Sequence, residues 1–126
     1  MILSTTRFGA VRLESDDIFL FQNGLIGIED YRRWVLLADS NNDAVGWLQS
    51  ATHPDVALAV VSPRRFVPDY KVRLTASQLA SLELDELDRA FILIVVAKNE
   101  GRLTANLKAP LLINLDRRIG RQVVTS

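Results

Sequence analysis

The run Phe91-Ile92-Leu93-Ile94-Val95-Val96-Ala97 most constrains what this chain can fold into. It is apolar on both alternating faces and rich in β-branched residues, so it predicts a central strand covered from both sides. Such a strand needs neighbours, and the rest of the chain supplies short ones. Ala10-Val11-Arg12-Leu13-Glu14 and Lys71-Val72-Arg73-Leu74 alternate with period two, as half-buried strands do. Residues 1–6, 18–21, 34–39, 45–50, 56–61, 103–107 and 119–124 have strand character too. Polar clusters punctuate them: Ser15-Asp16-Asp17, Ser40-Asn41-Asn42-Asp43, Lys98-Asn99-Glu100-Gly101 and Asp116-Arg117-Arg118. Gly9 falls near the turn of an N-terminal hairpin, and the Lys98–Gly101 cluster has hairpin spacing.

One segment departs from this pattern. Thr75-Ala76-Ser77-Gln78 has the spacing of a capping box and predicts a short helix over 76–82, with Leu79 and Leu82 on one face. The expected fold class is therefore all-β. It is a small antiparallel β-barrel or sandwich of about ten short strands, with one or two short helices, in a single domain over 1–126. Closure is expected because open edges invite aggregation.

The stretch Thr104-Ala105-Asn106-Leu107-Lys108-Ala109-Pro110-Leu111-Leu112-Ile113-Asn114-Leu115 reads as a turn of fixed geometry feeding a buried strand. Asn106 is a type that closes turns with its own side chain and tolerates left-handed angles. Pro110 fixes its own φ and pushes Ala109 towards an extended conformation.

Composition excludes more than it assigns. Cysteine is absent, which removes disulfides, thiolate metal sites and Cys nucleophiles. The longest apolar run, residues 90–97, is far short of the roughly 18 residues a membrane helix needs. No basic n-region precedes an apolar stretch, so a soluble cytoplasmic protein is the expectation. Fifteen Lys plus Arg balance fifteen Asp plus Glu, and a neutral chain lacks the basic excess that nonspecific nucleic-acid binding requires. The early chain is acidic (Glu14, Asp16, Asp17, Glu29, Asp30) and the late chain basic (Lys98, Arg102, Lys108, Arg117, Arg118, Arg121). The fold either brings these together or leaves two oppositely charged sides.

No motif marks a catalyst. His53 is the sole histidine and precedes Pro54, so neither a catalytic triad nor a histidine metal site can be placed. Glu83-Leu84-Asp85-Glu86-Leu87-Asp88 reads as a solvated acidic loop without a calcium-loop pattern. Trp34 and Trp47 read as core aromatics. Two loops draw interest. Gln22-Asn23-Gly24-Leu25-Ile26-Gly27-Ile28-Glu29-Asp30 has two glycines but no P-loop or dinucleotide pattern. Ser62-Pro63-Arg64-Arg65-Phe66-Val67-Pro68-Asp69-Tyr70 brackets aromatics and arginines with prolines. Proline stiffening would present its side chains with little entropy left to lose. Phe66 and Tyr70 could equally plug the end of the sheet.

The string TANLKAPLLIN at 104–114 resembles the signature of the flagellar assembly factor FliW family. Trp47-Leu48-Gln49-Ser50, the segment 61–70, Thr6-Arg7-Phe8-Gly9 and Ile119-Gly120-Arg121-Gln122-Val123 match the family in the same order. Gln22 and Ile26 stand where the family has prolines in its glycine loop, and Ile28 where it has Phe. Family members usually run further than Ser126. The resemblance implies a cytoplasmic, non-enzymatic regulator without cofactor or metal. Its implied partners are CsrA, an RNA-binding translational regulator, and flagellin, with no direct nucleic-acid or membrane contact. Bound to CsrA, such a factor releases mRNA and lifts repression of flagellin translation; accumulated flagellin captures it back. Under that reading the partner-binding candidates are Leu25, Ile28 and Glu29 in the glycine loop, and Phe66, Asp69 and Tyr70 in the proline-bracketed loop. Two alternatives stand beside it. One is a ligand pocket or enzymatic site in the mouth of a barrel. The other is RNA binding along Arg64, Arg65, Lys71 and Arg73.

Overall fold

The computed structural model describes residues 1–125, the side chain of Asn99 excepted. In chain order the elements are β1 (Ile2–Thr5), β2 (Gly9–Arg12), β3 (Ile18–Phe21), β4 (Arg33–Ala38), β5 (Gly46–Ser50), β6 (Ala57–Val61), α1 (Ala76–Ser81), β7 (Phe91–Asn99), β8 (Arg102–Ala105), β9 (Leu111–Asn114) and β10 (Ile119–Gln122). The fold is all-β, as the alternation predicts. Seven strands close a barrel in the order β3-β4-β5-β6-β7-β9-β10, and β10 returns to β3. Every pairing is antiparallel except β10 with β3, which is parallel through Ile119↔Leu20 and Gly120↔Phe21. Period-two patterning carries no information on strand direction, so the purely antiparallel expectation needed this correction.

The run at 91–97 is the central strand. One edge of β7 pairs with β6 through Ile94–Val96. Its other edge pairs first with β9 through Phe91–Leu93 and then with β8 through Val96–Asn99. The β7–β8 hairpin closes over Glu100 and Gly101, both with positive φ, the backbone of a type I′ turn.

Inward side chains fill the barrel. Phe19, Phe21, Trp34, Leu48, Val60, Leu93, Leu111 and Ile113 form one buried cluster. Each comes from the inward phase of its strand, which is what alternation requires. The β10 position facing Phe21 is Gly120. A Cβ there would overlap the Phe21 ring, so the glycine is the space the ring occupies.

A second layer covers the outer face. Val72, Leu82, Leu112 and Val123 form a separate buried cluster, joined by the half-buried Leu74, Leu87 and Ile92. The capping box predicted for α1 is present: Thr75 Oγ1 accepts from Gln78 N at 3.1 Å, and Gln78 Oε1 accepts from Thr75 N at 2.9 Å. Lys71–Leu74, expected as a strand, pairs with none. Its alternation is satisfied by Val72 and Leu74 packing down on the sheet, and an extended strap shares that pattern with a strand. Trp34 is fully buried, whereas Trp47 faces outward and is half-buried. Its indole donates to Asp39 Oδ1 at 2.9 Å, which holds that carboxyl below its usual range. Phe8 packs edge-on against the indole and the Arg7 guanidinium lies 4.3 Å above it, so the N-terminal hairpin docks on Trp47.

Gly120→Ala is expected to lower stability by about 1–3 kcal/mol, the usual range for overpacking a filled core. Chemical denaturation measures it, and Phe21→Leu in the same chain should recover part of the loss.

Candidate functional site

The turn between β8 and β9 is fastened from several sides. Four successive carbonyls each accept a hydrogen bond from a different group. Leu107 O accepts from the Tyr70 hydroxyl, and Lys108 O from Thr125 N at 2.7 Å. Ala109 O accepts from Gln122 Nε2 at 3.0 Å, and Pro110 O from Val123 N at 3.0 Å. Asn106 N donates to Val95 O at 3.0 Å, which anchors the turn's start on β7. Asn106 has no left-handed φ, so its expected self-closing role is not what it does. Asn114 performs that role instead. Its Oδ1 accepts from Asp116 N and Arg117 N, both at 3.1 Å, while its Nδ2 donates to Leu82 O at 2.9 Å.

Both predicted loops are tied to this turn. Gln122 Oε1 also accepts from Ile26 N at 2.7 Å, so one amide bridges the glycine loop to Ala109. Tyr70 ties the proline-bracketed loop to Leu107. The two loops are thus held to carbonyls two residues apart.

The glycine loop is rigid without the family's prolines. Gly24 sits at φ +64 and abuts the Glu29 backbone, leaving no room for a Cβ. Ile28 N donates to Leu25 O at 2.9 Å, and Glu29 Oε2 accepts from Gly27 N. Leu25, expected among the exposed candidates, is 3% exposed and belongs to the barrel core. Ile28 is half-buried against that core, and Glu29 is exposed. The exposed apolar side chain of this loop is Ile26, at 59%. Sequence reasoning passed over it. No local signal separated it from Leu25, since both lie between Gly24 and Gly27 and only the fold buries one and exposes the other.

In the other loop, Phe66 N and Val67 N both donate to Pro63 O at 3.0 Å, and Tyr70 N to Val67 O at 2.9 Å. Phe66 is 46% exposed and Asp69 is exposed. Tyr70 is half-buried against the outer cluster, so it is first a fastener. Burial raises its phenol above the ordinary value.

The remaining features resolve simply. His53 stacks on Tyr31 with ring centroids 3.9 Å apart and shares a hydrogen bond with Thr52 through Nδ1. Among the described residues no His, Cys, Asp and Glu group could hold a metal ion. Glu83 and Arg117 form an exposed ion pair at 3.8 Å. The parallel β3–β10 pairing sets the strand start after Asp16 and Asp17 beside the strand start after Arg117 and Arg118, and Arg118 lies 4.9 Å over the Phe19 ring. The barrel interior is filled, and an apolar depression of about 490 Å³ lined by Leu36, Val60 and Leu93 opens at one mouth.

The family model described as "FliW protein" matches residues 2–126. The chain belongs to the FliW family. It is 41% identical over 126 residues to the flagellar assembly factor FliW of Bdellovibrio bacteriovorus, covering 98% of this chain and 72% of that protein. It is 35% identical to the FliW of Natranaerobius thermophilus, covering 98% and 84%. A crystal structure of the flagellar assembly factor FliW superposes with a TM-score of 0.91 at 25% identity, covering all of this chain and 89% of the other. The FliW signature at 104–114 now has a physical reading, since it is the turn whose carbonyls fasten both loops.

Tyr70→Phe should cost about 1 kcal/mol of stability by leaving Leu107 O without its donor. The phenol's raised pKa favours the folded state below the ordinary tyrosine range, and that contribution is lost as pH rises through the raised value. Denaturation series across alkaline pH should show this slope in the wild type and not in Tyr70→Phe.

Proposed function

We propose that this FliW-family chain is a cytoplasmic, non-enzymatic regulator that binds CsrA and flagellin in alternation at the surface around the β8–β9 turn. One observation carries the reading. Two loops present exposed apolar side chains, Ile26 and Phe66, and both are fastened to the same turn, one through Ile26 N and the Gln122 amide, the other through the Tyr70 hydroxyl. Exposed apolar groups on preorganised backbone bind with little ordering cost. Glu29, Asp30 and Asp69 supply exposed carboxylates on the same loops. Such a rim would attract a basic RNA-binding protein and repel the phosphates of its RNA. The filled barrel supports the same reading, because it leaves recognition to the outer surface.

Calorimetric titration against CsrA and flagellin from the same organism tests this, with the second partner added as competitor. Binding to both with mutual displacement is expected. Phe66→Ala and Ile26→Ala should leave stability within about 0.5 kcal/mol and each weaken binding by about 2 kcal/mol, roughly thirtyfold. If the folded wild type binds neither protein, the switch is wrong. If both variants bind as wild type does, the surface is wrong.

A further inference from the structure

The short 3-10 turn Pro63–Arg65 aims consecutive arginines into two adjoining depressions. Arg65 lines the barrel mouth described above. Arg64 lines a second groove of about 600 Å³, between the Lys71–Arg73 strap and the segment leading into β7. Phe91 and Ser62 line both. Phe91 occupies the inward phase of β7 at its first residue, where the barrel ends, so its ring is left 39% exposed as a ridge between the depressions. The floors on its two sides are apolar: Val60 and Leu93 in the mouth, Val72 and Ile92 in the groove. Leu25, Ile28, Glu29, Phe66, Asp69 and Tyr70 line neither.

The rim is basic. Arg64, Arg65, Lys71 and Arg73 stand against two carboxylates, Asp43 and Asp88. Among the described residues none of the four cations forms an ion pair, and all four are exposed. In a chain with zero net charge, this is a local excess over an apolar floor. We propose that this strip is a second protein-docking surface. Its occupant is a short acidic amphipathic segment of a partner, with one apolar anchor seated on each side of Phe91 and carboxylates against Arg64, Arg65, Lys71 and Arg73. Charge complementarity selects the acidic segment, and the two apolar floors require the amphipathic one. A phosphate backbone fits worse, since it brings no apolar groups for the floors and would face Asp88 in the groove and Asp43 in the mouth.

The test is a displayed library of random short peptides sorted against the whole protein. The enriched sequences should pair two apolar residues with Asp or Glu. The strongest, made synthetically and followed by fluorescence anisotropy, should lose affinity about tenfold or more on Arg64→Glu/Arg65→Glu and again on Lys71→Glu/Arg73→Glu. Raising salt should weaken the wild-type complex, and Leu103→Ala, at an exposed position that lines neither depression, should leave it unchanged. Circular dichroism confirms that the variants, all at exposed positions, are folded. Four outcomes overturn the proposal: no enrichment of acidic sequences; equal affinity in the charge-reversal variants; oligouridine binding that these variants abolish, which would make the strip a phosphate track; or concentration-dependent dimerisation that they abolish, which would make it a self-interface.

Discussion

The structure depends on one strand edge serving two partners. β9 and β8 pair in tandem along the same side of β7, at Phe91–Leu93 and at Val96–Asn99. The chain between them must leave the sheet and return to the same edge within five residues. An irregular excursion of that kind exposes carbonyls that a ladder would otherwise satisfy, and buried carbonyls without donors are costly. The solution recruits donors from distant segments: Tyr70, Gln122, Val123 and Thr125. Pro110 suits the junction because it has no N–H to satisfy. The fastening that completes the sheet therefore also sets where the two loops stand.

This explains what the sequence made legible and what it did not. Strand positions followed from alternation where one side of the wall is wet, and from unbroken apolar runs at β7 and β9, where the second layer covers the outer side too. The helix start followed from Thr75 and Gln78, a purely local pair of hydrogen bonds. Leu25 failed as an exposed anchor for the opposite reason. A glycine-rich loop reads as surface, yet Gly24 lets the chain double back tightly enough to put Leu25 under the barrel end. Likewise Lys71–Leu74 shows the alternation of a strand because burial of one face, and not pairing, is what writes that pattern. The fastening roles of Tyr70 and Gln122 join positions far apart in sequence, and no local rule contains them.

Charge followed the same division. β3 follows Asp16 and Asp17 and β10 follows Arg117 and Arg118, so their parallel pairing sets part of the acidic early chain beside part of the basic late chain. What survives is finer: carboxylates on the loops beside the turn, and cations gathered around Phe91. Neutral totals conceal both, and only the fold separates them.

A filled, hydrogen-bonded barrel also limits how regulation can work. Phe21 lies in the space left by Gly120, and Trp34 and Leu48 are fully buried, so rearranging the interior would cost close contacts. A switch carried by such a body does not need two conformations of it. If two partners cover overlapping parts of the turn surface, each excludes the other, and occupancy follows their concentrations and affinities alone. Allosteric coupling would instead require a bistable element that both partners bias. The turn at 105–110 is the least suited segment for that, since moving it would break bonds to three separate stretches of chain at once. If the proposed two-partner reading holds, competition on a rigid surface is the form of switch that needs nothing further from this body.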